Sequence, residues 1–271
     1  MADRQVPPGI DTSTMHPARR YDYLLGGKDN FEADRVNAEM LTRFFPTARI
    51  SALENRRFLR RAVTFLAREA GIRQFLDIGS GLPTAPNVHE VAQGIAPATR
   101  VVYVDNDPIV LVHARALLTS SAEGATAYVD ADLRDPDRIL SDAGLRDTLD
   151  LTQPVGLMLV AVMHFFPEEM RPYALVGQLV AAMAPGSYLT MSNGTLDYLS
   201  PDDAANLRGA FARSGEPAAP RTREEFARFF DGLEVIAPGI TSVADWRADT
   251  EPEPRPTAAE AAVYAGVARI P

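Results

Sequence analysis

The chain has 271 residues, 46% of them hydrophobic, which suits one large α/β domain or a domain with an appendage. Its 36 acidic and 27 basic residues give a net charge of −9, which argues against a nucleic-acid backbone as partner. Cysteine is absent, which excludes disulfides, thiolate nucleophiles and cysteine-based zinc sites.

Met1–Pro8 has no apolar core like that of a signal peptide. Val155–Phe166, the longest nearly apolar run, is too short to span a bilayer and contains His164. The expected location is therefore the cytoplasm, without a membrane partner. Lys28 is the only lysine, so a Tyr-x-x-x-Lys pair cannot be formed. Gly26-Gly27-Lys28-Asp29 lacks the first glycine and the trailing Ser/Thr of a phosphate-binding loop.

Residues 1–50 read as a helical N-terminal extension and 51–271 as the main domain. Asp11–Pro17 is loop-like, and Ala18–Leu25 predicts a short helix stopped by Gly26-Gly27. Across Asn30–Phe45, the residues Phe31, Val36, Met40, Leu41 and Phe44 recur near helical spacing, with Pro46 beyond. Ser51-x-x-Glu54 predicts a capping box, followed by a helix whose inner face is Leu59, Val63, Leu66 and Ala70. Arg56, Arg57, Arg60 and Arg61 then fall on its solvated face.

From residue 73 the pattern alternates between strand and helix. Strands are predicted at Gln74–Ile78, Arg100–Val104, Ala125–Val129, Val155–Met163, Ser187–Met191, Leu233–Ile236 and Ala262–Ala268. Helices follow Thr84, a candidate N-cap, and occupy Pro108–Leu118, the stretch after Asp135-Pro136, and Pro167–Ala184. Others run from Ser200-Pro201 to Arg213 and from the capping box Thr222-x-x-Glu225 to Phe230. Ser214–Pro220 reads as a loop, and the Pro- and acid-rich Ala248–Pro256 as a mobile one. This order predicts a doubly wound, mostly parallel, seven-stranded Rossmann-like sheet, with a ligand crevice at its carboxyl ends.

Asp77, Asp105, Asp132 and His164 all fall at strand ends. Gly79 and Gly81 let the backbone turn sharply and let a ligand approach it. Asp105, ending the next strand, can accept two hydrogen bonds from a ribose diol. The third glycine of the dinucleotide pattern is absent, with Thr84 in its place.

At these residues the chain resembles the class I S-adenosylmethionine-dependent methyltransferases. Phe75-Leu-Asp-Ile-Gly-Ser-Gly81 is similar to their first motif and Tyr103-Val-Asp105 to their second. Tyr128–Leu133 is similar to the third, and Leu159–Pro167 to the strand-four motif. Arg19–Asn30 resembles one subgroup more closely, the S-adenosyl methyltransferases of the domain-of-unknown-function type common in high-GC bacteria.

The resemblance implies S-adenosyl-L-methionine as cofactor, with Gly79, Ser80 and Gly81 under its methionine part and Asp77 reaching its amino group. It implies Asp105 at the ribose, Asn106 beside the adenine, and Asp132 with the Leu133 amide at the adenine edge. Ala161 and Val162 would border the sulfur. Pro83, where many members have glycine, departs from the pattern. Arg56 or Lys28 could hold the cofactor carboxylate. Tyr21 and Tyr23 could close over the cofactor or anchor the first helix, with Tyr21–Asn30 folding as a lid.

The catalytic candidate is His164, a general base for a hydroxyl acceptor or else a packed strand-end residue. Strand four lacks the Asp/Asn-Pro-Pro-Tyr cage for planar amino groups. A small-molecule acceptor with a hydroxyl, carboxyl or amine is expected. Asp245-Trp246-Arg247 follows strand six, and its tryptophan reads as core or interface. His16, His89 and His113 have no metal-ligand spacing, and no metal is expected. A non-catalytic cofactor-binding protein and a nicotinamide-dependent oxidoreductase are the competing readings.

Overall fold

The computed structural model describes residues 11–117, 119–214 and 217–271. The readings of Met1–Pro8, of Leu118 as a helix end and of Gly215–Glu216 within the loop lie outside them. Eight strands form one sheet: β1 (Gln74–Ile78), β2 (Arg100–Asp105), β3 (Ala125–Asp130), β4 (Gly156–Val160), β5 (Tyr188–Gly194), β6 (Glu234–Val235), β7 (Thr241–Ser242) and β8 (Val263–Arg269). Their order is β3-β2-β1-β4-β5-β8-β6, with β7 also paired to β8. Strands β1 to β5 run parallel, and β8 runs antiparallel to β5. The seven expected strands are present, and β7 is an addition of two residues, too short to leave a pattern.

The central strands are apolar throughout because both faces are covered. Leu76 and Ile78 join Val102, Leu157 and Leu159 in one core cluster. On the opposite face Phe75, Tyr103 and Met158 pack with Phe58, Leu66 and Trp246. Burying one such side chain contributes about 1.5–3 kcal/mol. Trp246 meets Phe58 edge-on at 5.4 Å between ring centroids, so the tryptophan is core.

Among the described residues three helices precede the sheet: α1 (Pro17–Leu24), α2 (Glu32–Phe44) and α3 (Ala48–Arg68). Proline opens α1, and His16 caps it by accepting from the Ala18 amide at 3.3 Å. Its stop is Gly26 at φ +84°, followed by Gly27, where a Cβ would sit 1.9 Å from Asp22 Oδ1. Asp22 holds that turn by accepting from Asp29 N at 3.0 Å and Asn30 Nδ2 at 2.8 Å.

Several expectations need correction. In α2, Val36, Met40 and Phe44 point outward, 58%, 42% and 36% exposed, while Asp34 and Ala38 are buried. The Asp34 carboxylate is satisfied by the amides of His16 and Phe31, at 2.9 and 2.8 Å, which lets an acid face inward. Helix α3 starts before the expected capping box: Ser51 N already donates to Thr47 O at 2.9 Å. Arg61 is not on a solvated face. Buried, it donates to the Trp246 and Val243 carbonyls and pairs with Glu251 at 3.2 Å.

The helix after the glycine turn begins at Val88, capped by Asn87 with Glu90, and not at Thr84. Strand β4 ends at Val160, because Ala161 adopts φ +59° and a single 3-10 turn follows at Met163–Phe165. The helix expected from Pro167 starts at Pro172, behind Arg171 at φ +53°. Ala248–Pro256 has no helix or strand, but Glu251 within it pairs with Arg60 at 2.6 Å as well as with Arg61. The box at Thr222 does form, with Thr222 N donating to Glu225 Oε2 at 2.8 Å.

Candidate active site

The chain order reverses between β1 and β4, which opens a crevice at their carboxyl ends. A cavity of about 440 Å³ fills it. Gly79 and Gly81 form its floor, at φ +72° and +67°. A Cβ on Gly79 would lie 2.7 Å from Val162 Cγ2, so the backbone there passes where no side chain fits. Gly81 N donates to Asp105 Oδ2 at 2.8 Å, and Asp107 N donates to Asp105 Oδ1 at 2.9 Å. Asp105 is thereby fixed at the rim of the cavity, its carboxyl raised by burial.

Asp77 is buried, lines the same cavity and has no hydrogen-bond donor among the described residues. Desolvation pushes its carboxyl up to about 7, with Arg56 opposing and Asp105 reinforcing the rise. Arg56 reaches across, donating to the Thr84 carbonyl and to Pro86 O at 2.8 Å. A buried carboxylate with no donor among the described residues, beside an open cavity, is suited to a cationic ligand group.

Asp132 lies further along. It accepts from Asn106 Nδ2 at 2.9 Å and from Arg134 N and Nε at 2.8 and 2.9 Å. Arg134 holds its carboxyl down at about 2. Leu133 beside it is buried and lines the cavity.

One hydrogen-bonded chain links the end of β4 to α1. Ala161 N donates to Ser192 Oγ at 2.9 Å, and Ser192 Oγ donates to Asn55 Oδ1 at 2.6 Å. Asn55 Nδ2 donates to Tyr21 Oη at 2.9 Å, and the Tyr21 hydroxyl donates to Ala52 O at 3.0 Å. This chain fixes the strained Ala161 next to Val162 in the cavity wall. Sequence reasoning missed Asn55 and Ser192. The available signal was Asn55 itself, a polar residue on the apolar stripe Ala52, Leu59, Ala62, Leu66.

His164 also lines the cavity, with Nδ1 buried and unpartnered. Burial, then Arg20 and Arg221, push its pKa down to about 3. Arg221 was likewise missed. Buried, it donates to Met163 O at 2.7 Å, Phe166 O at 2.6 Å and Asn193 Oδ1 at 2.9 Å, fixing the turn that carries His164. A second clamp holds α1: Arg19 Nε and Nη2 donate to the two Asp107 oxygens at 2.8 and 2.9 Å. A bidentate, buried pair of this kind sets orientation as well as adding energy.

A family model described as S-adenosyl methyltransferase matches residues 3–271. The chain belongs to that family. Its cofactor is S-adenosyl-L-methionine. This methyltransferase is 45% identical to a DUF574-family protein from Streptomyces avermitilis, over 96% of this chain and 99% of that one, with a TM-score of 0.90. It is 44% identical to a protein from Thermobifida fusca provisionally assigned as a methyltransferase, over 98% of both chains, with a TM-score of 0.88. An O-methyltransferase-family protein from Burkholderia thailandensis shares the fold at a TM-score of 0.56 and 14% identity, over 92% of this chain and 63% of that one. No match exists among the curated proteins.

In this methyltransferase the cavity brings together Asp77, Gly79, Ser80, Gly81, Asp105 and Asn106 from the first two strand ends. It adds Asp132 and Leu133, Ala161, Val162 and His164, and Tyr21 and Arg56 from the N-terminal helices. Lys28 is the exception: it is exposed and outside the lining. The turn Gly26–Asn30 is outside it as well, so only α1 supplies the wall expected of Tyr21–Asn30. Tyr23 faces α2, its hydroxyl donating to Glu39 Oε1 at 3.2 Å.

Proposed function

We propose that this chain binds S-adenosylmethionine along the crevice and transfers its methyl group to a small molecule with a hydroxyl, carboxyl or amine. The observation that carries the cofactor's orientation is Asp77, a buried carboxylate that lines the cavity and has no donor among the described residues. The ammonium of a methionine moiety is the cation it calls for. Gly79, Ser80 and Gly81 then lie beneath that moiety, where the absent Cβ of Gly79 leaves room. Arg56 is the donor for the carboxylate. Asp105 accepts from the ribose, held ready by Gly81 and Asp107. Asn106, Asp132 and the Leu133 amide surround the adenine, while Ala161 and Val162 border the sulfur.

The bound cofactor supplies an electrophilic methyl on a sulfonium. The chain's own residues supply alignment, and holding two reactants in line is worth roughly 7–11 kcal/mol of barrier. His164 faces the acceptor as a neutral imidazole, since its pKa is pushed down to about 3. Tyr21 and α1 form a wall that excludes water. The cavity of about 440 Å³ must hold the cofactor as well as the acceptor, and the space left beside a bound cofactor suits a small acceptor.

Calorimetry with S-adenosylhomocysteine, followed by transfer of labelled methyl to a metabolite extract, tests this reading. Binding and label in a low-molecular-weight fraction are expected. Absence of binding would sink the cofactor assignment, and binding without transfer would leave a non-catalytic binding protein.

A further inference from the structure

The acid that ends β2 is tied to the start of α1. Asp107 N donates to Asp105 Oδ1 at 2.9 Å, and the Asp107 carboxylate, fully buried, points toward α1. Both of its oxygens accept from Arg19, and Oδ2 also lies 3.2 Å from His16 Nδ1. Asp105, Asp107 and His16 therefore form one connected row. Burial raises the Asp105 carboxyl, while the Asp107 and Gly81 amides and the nearby His16 oppose the rise.

His16 is anchored through its backbone and through Nδ1. Its amide donates to Asp34 Oδ1 at 2.9 Å, and its carbonyl accepts from Arg20 N at 3.0 Å. Nδ1 meets the Ala18 amide at 3.3 Å as well as Asp107. Ala18 and Phe31 pack on Leu82, Ile109 and Val110, so the first turn of α1 is seated on the two turns that carry Gly81 and Asp105. The His16 side chain lines the cavity, 28% exposed, and Nε2 has no hydrogen-bond partner among the described residues. An imidazole held at one nitrogen presents the other in a fixed direction.

We infer that His16 is a second ribose-binding residue, its Nε2 donating to one of the two ribose hydroxyls beside Asp105. This rests on the cofactor reading above. As the cap acceptor for Ala18, Nδ1 keeps its lone pair and the ring proton sits on Nε2. Protonation of Nδ1 toward Asp107 leaves that proton in place. A hydroxyl that gives its own proton to Asp105 keeps lone pairs on its oxygen for Nε2–H. The cofactor's ammonium and its adenine amine are donors and do not fit this position. Recognition of the ribose is thereby shared between the sheet and α1.

The test is calorimetry on the full chain with S-adenosylhomocysteine and with its 2′-deoxy and 3′-deoxy analogues. His16→Ser is the variant, because serine keeps a cap acceptor and the backbone bonds but is too short to reach the ribose. Its ligand-free unfolding temperature reports any loss of the α1 cap. His16→Asn repeats the test with a cap of equal strength whose amide ends short of the Nε2 position. S-adenosylhomocysteine should bind about two- to tenfold more weakly, the range of one neutral hydrogen bond. For one deoxy analogue the penalty measured in wild type should shrink by the same factor in the variants, and for the other it should not change. A merely structural role would not tell the two hydroxyls apart. Unchanged S-adenosylhomocysteine affinity, or a loss that simply adds to both deletions, overturns the inference. Equal shrinkage for both analogues also overturns it, by showing that His16 acts through Asp105. Wild type that fails to bind S-adenosylhomocysteine overturns the cofactor reading itself, and this inference with it.

Discussion

Ser192 Oγ donates to Asn55 Oδ1 across 2.6 Å, joining the fifth strand to the third helix through residues 137 apart in sequence. This bond sits midway along the chain that runs from Ala161 to Tyr21. Asn55→Ala breaks the chain in the middle, so the Ser192 hydroxyl loses its acceptor and the Tyr21 oxygen loses its donor, while Ala161 N and Ala52 O stay bonded to them. The two lost hydrogen bonds are worth about 0.5–1.5 kcal/mol each. Thermal unfolding should show a drop of several degrees. Calorimetry should also show weaker S-adenosylhomocysteine binding, because Ala161 is freed to leave its left-handed conformation. A variant that loses stability with unchanged affinity would confine the network to folding.

Asp77→Asn should separate stability from function. The folded carboxyl titrates at about 7, above its usual value, because desolvation disfavours the charge. Its contribution to stability is therefore complete below about pH 4 and is lost as pH rises through about 7. At pH 8 the amide removes a buried, unpaired charge, so the ligand-free variant should melt higher by at least ~2 °C. The same change should weaken S-adenosylhomocysteine at least ~tenfold, since the amide lacks the charge that pairs with an ammonium. Wild-type binding at pH 6 should release a proton, read from calorimetry in buffers of different ionisation enthalpy. Equal affinity in wild type and variant would displace Asp77 from the ammonium.

Asp105→Ala removes the acceptor of two backbone amides as well as the ribose partner. Hydrogen bonds to a charged acceptor are worth roughly 1.5–3 kcal/mol each, so affinity should fall at least tenfold. Asp132→Asn should be milder, because it keeps one acceptor oxygen and chiefly loosens Arg134, which is largely exposed. Equal losses in the two variants would contradict the ribose and adenine assignments.

The two candidate cations are separable. Lys28→Ala should leave S-adenosylhomocysteine affinity unchanged, since Lys28 is exposed and outside the cavity. Arg56→Ala should reduce it, and should also free the Thr84–Pro86 backbone that Arg56 holds. The reverse pattern in a titration of both variants would move the carboxylate site to the glycine turn.

Hydrogen exchange should divide the expected lid. Added protection with S-adenosylhomocysteine is expected within α1, which lines the cavity, and at Phe75–Gly81. The turn Gly26–Asn30, held by Asp22, should change little. Uniform protection of both stretches would mean that the whole segment closes over the ligand.

What the sequence disclosed follows from physics that acts locally. Parallel strands buried on both faces leave continuous apolar runs, so β1, β2 and β4 could be read directly, together with Asp77 and Asp105 at the ends of the first two. Gly79 and Gly81 were legible because a tight approach tolerates no Cβ. The groups that orient the site were not. Asn55 needs Ser192, Arg19 needs Asp107, and Arg221 needs the carbonyls of a distant turn, and such partners are created only by folding. On α2 the apolar residues at helical spacing do not mark the buried face, for a related reason. Hydropathy favoured Val36 and Met40, whereas Asp34 is buried because the His16 and Phe31 amides satisfy it.

The strand at residues 263–269 enters the sheet between β5 and β6, both of which precede it in the chain. During synthesis β5 therefore waits with an open, hydrogen-bonding edge until residue 269 has left the ribosome. Leu189 and Met191 on that strand are fully buried in the folded protein and pair with Ala268 and Gly266 of β8. An unpaired apolar edge is a template for pairing with another chain. A chain folded only as far as β7 thus carries an edge that invites aggregation until β8 closes the sheet.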